Sequence, residues 1–151
     1  MKVGHFYEDL HVGDILEHDL ERSVTHAENK LVEDLTAYIH PLHSDENFAK
    51  NTEFGNITLN GIATFSMIYG MSSLQLSTHA IANLEWKNVM FINPVFMGDK
   101  LRAKSEILMK RESKSRPTQG IIHIKTIGLN QINNIVISFE RVYLIKKCRD
   151  L

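Results

Sequence analysis

Residues 35–61 read LTAYIHPLHSDENFAKNTEFGNITLNG, a span that holds a pinned histidine, a chain break and the entrance to an apolar helix. His43 follows Pro41 by two residues and comes just before Ser44-Asp45-Glu46. A capping residue followed by first-turn acids marks a helix start, so a short helix is expected over 45–51, with His43 at a fixed point ahead of it. Phe54-Gly55 then breaks the chain, and Asn60-Gly61 opens Ile62 to Leu76, which is apolar on nearly every face. That run predicts a buried helix of about 16 residues, ~24 Å long. Its amino end, with unpaired N–H groups and the positive end of the helix dipole, should stand beside the loop carrying His43. An imidazole facing bare amide donors suits proton transfer next to a thioester or ester carbonyl.

Upstream, Gly13-Asp14 marks a bend before an extended edge over 15–24. Thr25-His26-Ala27-Glu28 has the form of a capping box, and the helix it opens should bury Leu31, Val32, Leu35 and Ile39 as one stripe and end before Pro41. Tyr38 falls near its last turn. Downstream the period changes to two. Leu84 and Trp86 face one way and Glu85 and Lys87 the other, and Leu101, Ala103, Ser105, Ile107 and Met109 form the apolar side of a long strand. Turns at 112–120 and at Asn133-Asn134 join it to strands over 121–129 and 135–145 as antiparallel hairpins. A sheet with one apolar face and a greasy helix give an α+β domain over residues 1–151, a curved antiparallel sheet wrapped around the helix. Burying every face of that helix calls for a second copy, so a homodimer or higher homo-oligomer is expected.

Composition narrows the function classes. The chain has 151 residues, 23% of them charged, and a formal net charge of -1. That gives no basic field for nucleic acid. Cys148, the only cysteine, has no internal disulfide partner and suits a reducing cytosol. No signal-like or membrane-spanning run is present, so a cytoplasmic protein without membrane contact is expected. His5, His11, His18, His26, His79 and His123 are scattered, and no spacing among them suggests a metal site.

The stretch quoted at the outset resembles the hydratase motif of MaoC-like, R-specific enoyl-CoA hydratases, which have the hot-dog fold. The wider family reads roughly L-[ST]-G-D-x-N-P-L-H-x-D, then A-x-x-x-x-F, then I-x-H-G-M. Pro41-Leu42-His43, Asp45, Ala49, Phe54-Gly55 and Gly61 stand at matching spacing. Phe6-Tyr7-Glu8-Asp9, Ala82-Asn83-Leu84, Asn93-Pro94-Val95-Phe96 and the run from Lys110 to Pro117 look like the subgroup acting on mesaconyl-, itaconyl- or methylmalyl-type CoA esters. Tyr38 stands where the wider family has its catalytic aspartate and the subgroup an asparagine. Asn60-Gly61 replaces the wider family's histidine-glycine.

The resemblance implies a hydro-lyase that adds water to, or removes it from, a short-chain dicarboxylic 2-enoyl-CoA ester, branched or unbranched, with the CoA thioester as substrate and no metal or redox cofactor. His43 is the candidate base, and the Gly61 N–H the candidate donor to the enolate oxygen. Tyr38 and Asn60 are candidates for placing water or giving a proton, although a phenol that titrates near ~10 is a poor base at neutral pH. Asp45 and Phe54 are candidate substrate contacts, with helix capping an equal use for Asp45. Arg111, Lys114 and Arg116 lie in a basic turn suited to CoA phosphates, which equally reads as a solvated hairpin tip. Arg22, Arg102 or Arg141 is the cation that an acidic acyl group would need. Two alternatives share the fold: a non-catalytic acyl-CoA-binding or regulatory protein, suggested by Tyr38, and a thioesterase.

Overall fold

A computed structural model describes residues 4–148. Strand β1 (Ile15–Ser23) leads into helix α1 (His26–Thr36), a 3₁₀ turn (Pro41–His43), the short helix α2 (Glu46–Lys50) and the long helix α3 (Gly61–Leu76). Four strands follow, β2 (Ala80–Phe91), β3 (Lys100–Glu112), β4 (Gln119–Leu129) and β5 (Ile135–Lys146). They form an antiparallel sheet in the order β1-β3-β4-β5-β2. This is the helix-on-sheet architecture expected above, with β3, β4 and β5 as consecutive hairpins and β1 at one edge.

α3 lies on the sheet because its spacing puts Ala63, Thr64, Met67, Ile68, Met71 and Ser72 on one side. These meet Leu101, Ala103, Val136, Ile137 and Phe139 from the strands. Each large aliphatic side chain so buried contributes roughly 1.5–3 kcal/mol. Close approach is possible because Gly128 has no side chain: a Cβ there would stand 2.6 Å from Cγ1 of Ile68. A second cluster, Leu10, Leu76, Ile107, Ile122, Tyr143 and Ile145, closes the opposite end.

Three expectations need correction. α3 is buried on one side and not all round, since the sheet covers a single face and Ile62 remains 55% exposed. On α1 the inward line is Asn29 and Val32, while Leu31, Leu35 and Ile39 lie open to solvent. That helix stops at Thr36, where Ala37 takes a left-handed conformation (φ 57°) and its N–H closes on the Glu33 carbonyl at 2.9 Å. Ile39 therefore lies beyond the helix and cannot continue its stripe. In β3 the alternation holds from Leu101 to Ile107 and then fails. A bulge between Ile107 and Met109 inserts one residue, and Met109 turns to the exposed face.

Candidate active site

Three segments converge at the amino end of α3. The first is α1, started by its capping box: Thr25 Oγ1 accepts from the Ala27 N–H (3.2 Å), and Glu28 Oε2 accepts from the Thr25 N–H (2.9 Å). The second is the turn carrying His43. His40 Nδ1 accepts from the Leu42 N–H at 3.2 Å, and Pro41 occupies the first position of the turn. The third is the strand-like piece Ile57 to Asn60, anchored by Leu59 N–H donating to the Val95 carbonyl at 2.7 Å.

His43 Nδ1 lies 2.9 Å from the Thr58 carbonyl oxygen. A carbonyl only accepts, so Nδ1 carries the proton and Nε2 of the neutral ring keeps its lone pair. A cleft of about 350 Å³ is lined by His43, Tyr38, Asn60, Gly61, Phe91 and Val32 among others. The histidine and the leading glycine of α3 thus share one opening. Asn60 caps the helix through Oδ1, which accepts from the Ile62 N–H at 2.8 Å. The Gly61 N–H belongs to the first turn, whose N–H groups have no acceptor within the helix. Side-chain absence matters here, because a Cβ on Gly61 would stand 3.1 Å from the Phe91 ring.

Tyr38, just past the end of α1, is 53% exposed, with its ring 6.4 Å from that of His43. Phe54 lines a neighbouring cleft of about 320 Å³ that meets the first at Gly61 and Phe91. Asp45, and not Ser44, is the cap of α2: its Oδ1 accepts from the Asn47 N–H (2.8 Å) and the Phe48 N–H (3.1 Å). That oxygen is committed to the helix, which favours the capping role over contact with substrate.

The basic turn is not brought to this site within one chain. Phe91, beside Gly61, pairs with Ile137, which pairs with Gly128, whereas Arg111, Lys114 and Arg116 lie at or beyond the Gly120 end of β4. Eight residues of strand separate the two ends, about 26 Å. Arg116 contacts Gln119 Oε1 at 3.5 Å, and Arg111 reaches the Glu112 carbonyl at 3.4 Å. Nor do the three candidate cations line the His43 cleft. Arg22 pairs with Glu28 at 3.3 Å, Arg102 sits in β3 opposite Leu129, and Arg141 donates to Ser77 Oγ at 3.0 Å at the far end of α3. No group of three His, Cys, Asp or Glu residues able to hold a metal ion lies among the described residues.

One participant escaped the sequence reading. Asn29, 2% exposed on the inner face of α1, donates from Nδ2 to the carbonyls of His43 and Thr58, both at 3.0 Å. Its Oδ1 accepts from the Asn60 N–H at 2.7 Å. The available signal was a polar, poorly helix-forming residue one turn before Val32, on the same face of α1.

Residues 9–128 match the MaoC like domain. The chain is 31% identical over 145 residues to the mesaconyl-CoA hydratase of Cereibacter sphaeroides, covering 96% of this chain but only 42% of that protein. It therefore spans well under half the length of that curated relative. Among solved structures, a protein titled monoamine oxidase regulatory protein from Archaeoglobus is 30% identical with a TM-score of 0.85, covering 97% of both chains. RV0216 of Mycobacterium tuberculosis, described as a double hotdog fold, superimposes at a TM-score of 0.88 over 98% of this chain and 46% of that one, at 17% identity, which speaks to the fold alone. With its five-stranded hot-dog sheet, its long helix and a family match over most of its length, the chain belongs to the MaoC-like domain family.

Proposed function

We propose that this chain is a hydro-lyase that adds water to, or removes it from, a short-chain 2-enoyl-CoA ester, including branched dicarboxylic esters of the kind for which the Cereibacter relative is named. The observation that carries this reading is the shared cleft of His43 and Gly61. His43 Nε2 takes a proton from water as the water oxygen attacks C3. The negative charge that develops on the thioester oxygen meets the Gly61 N–H and the positive end of α3. The enolate then takes at C2 the proton held on His43 Nε2, which completes the addition and returns the imidazole to its neutral form. Tyr38 borders the water position and can orient it as donor or acceptor. The direct test is loss of enoyl-thioester absorbance with purified protein and crotonyl-, mesaconyl- and itaconyl-CoA, and turnover of at least one is expected. A flat trace with all three, together with binding of the esters, would support a non-catalytic acyl-CoA-binding protein, the reading that Tyr38 favours. Release of free thiol would point to thioester hydrolysis.

The working unit in this proposal is a homodimer joined through β2. The β1 edge carries Glu17, Asp19, Glu21 and Arg22, charges that discourage pairing. The outer edge at β2 has more exposed apolar surface, with Leu84, Trp86, Val89, Met90 and Phe91 open to solvent among fewer charges, Glu85 and Lys87. A two-fold axis pairs β2 antiparallel with its copy, which turns the partner's sheet end for end. The basic turn of one copy, Arg111, Lys114 and Arg116, is then at the same end as the His43 cleft of the other, where it can meet CoA phosphates. Sedimentation should give twice the chain mass for the wild type and the chain mass for a Leu84→Asp, Met90→Asp variant. A wild-type monomer would refute the pairing.

A further inference from the structure

We infer that Asn29 is the positioning residue that holds the base and the oxyanion donor in register, an inference that rests on the hydro-lyase reading of the same site. His43 comes from a turn and Gly61 from the start of a helix, and 17 residues of intervening chain include the break at Gly55. Neither segment lies in the sheet, so the strand ladders do not fix their relative positions. They touch through the His43 Nδ1 contact with Thr58 and a long Thr58 N–H bond to the Leu42 carbonyl (3.4 Å), and one amide group ties both to α1. Nδ2 of Asn29 reaches the His43 carbonyl on one side and the Thr58 carbonyl on the other, both at 3.0 Å, while Oδ1 takes the Asn60 N–H at 2.7 Å.

The Thr58 oxygen is also the acceptor of His43 Nδ1, at 2.9 Å. Asn29 therefore grips the atom that sets the tautomer and direction of the imidazole. It also grips the residue immediately before Gly61. Three partners of this kind, two acceptors and one donor, match the amide of asparagine. Aspartate would turn an oxygen toward two carbonyls. Leucine would strip the His43 carbonyl and the Asn60 N–H of this partner and leave the Thr58 carbonyl with His43 Nδ1 alone, beside residues as buried as Thr58 and Asn60. Because α1 is fixed by its own capping box, the clamp ties the base and the donor to a rigid element.

The test compares wild type with Asn29→Asp and Asn29→Ala in two ways: steady-state kinetics on the enoyl-CoA ester, and nitrogen-15 signals of the His43 ring. Misplacing the base relative to the thioester should lower kcat about 100-fold, with KM changed by less than about threefold. The ring signals, those of the Nδ1–H form in wild type, should become those of a mixture of tautomers. Variants that fold with wild-type kcat and wild-type ring signals would overturn the inference. Should both variants fail to fold, proton exchange of the Asn29 side-chain NH₂ in the wild type decides. Protection of both protons supports the clamp, and exchange as fast as that of an exposed asparagine refutes it. If the wild type turns over no enoyl thioester, the hydro-lyase reading fails by itself, while the ring signals and the exchange rate still report on Asn29.

Discussion

His43→Asn should lower kcat for enoyl-CoA hydration by two to four orders of magnitude while leaving the protein folded and able to bind the ester. The size follows from what a positioned general base contributes, about 10²–10⁴-fold. Asparagine is the informative replacement. Its Nδ2 takes the place of the imidazole Nδ1 and can still donate to the Thr58 carbonyl, which His43 Nδ1 meets at 2.9 Å. What it lacks is the Nε2 lone pair facing the cleft. A structural histidine would be served nearly as well by asparagine, so thermal stability near that of wild type with kcat reduced identifies the lone pair as the working part. KM should move little, because the ester is held by the cleft walls and not by the base. Retention of wild-type kcat in this variant would remove His43 from the mechanism. The corresponding Tyr38→Phe change should be milder, since Tyr38 is 53% exposed at the rim and water can replace its hydroxyl.

How much of this was legible in the sequence depended on the range of the forces involved. α3, the capping box at Thr25 and the β3-β4-β5 hairpins follow from local periodicity and turn chemistry, and the structure has them where the pattern puts them. The position of His43 ahead of a helix was also local, fixed by Pro41 before it and Asp45 after it. Reading failed where a distant contact decides. Leu31 and Leu35 look like a buried pair on a helical wheel, yet the face that turns inward is the one carrying Asn29, because its amide meets backbone groups 14, 29 and 31 residues away. No local pattern carries that information. Met109 continued a clean alternation until one bulge reversed it. The basic turn was near the site only in motif order. Strand register places it at the other end of the sheet, and only pairing with a second copy would return it.

Tyr143 should make the fold sensitive to alkali, and Tyr143→Phe should remove that sensitivity without destabilising the protein at neutral pH. Its side chain is fully buried beneath the carboxyl end of α3, and its hydroxyl has no hydrogen-bond partner among the described residues. Burial pushes the phenol up from 10.0 to about 12, outweighing the opposite pull of the neighbouring Arg141 guanidinium, which lies 4.6 Å from the ring centre. In the unfolded chain the phenol ionises near ~10. Between those two values the unfolded state has released the proton and the folded state still holds it, so unfolding gains free energy as pH rises. The contribution is fully present below pH 10 and is lost on the way to 12. By pH 11.5 the loss amounts to about 2 kcal/mol. Urea unfolding of both proteins at pH 8 and pH 11.5 isolates this share, because the other tyrosines and the lysines cancel in the difference. At pH 8 the phenylalanine variant should equal wild type or exceed it by about 1 kcal/mol, since the lost hydroxyl is a buried group that gains nothing from the fold. At pH 11.5 its advantage should grow by the further ~2 kcal/mol that wild type has given up. A variant destabilised at pH 8, or one whose advantage is the same at both pH values, would mean that the hydroxyl is hydrogen-bonded or reached by solvent in the native protein, and that the interior around Arg141 is wetter than its packing implies.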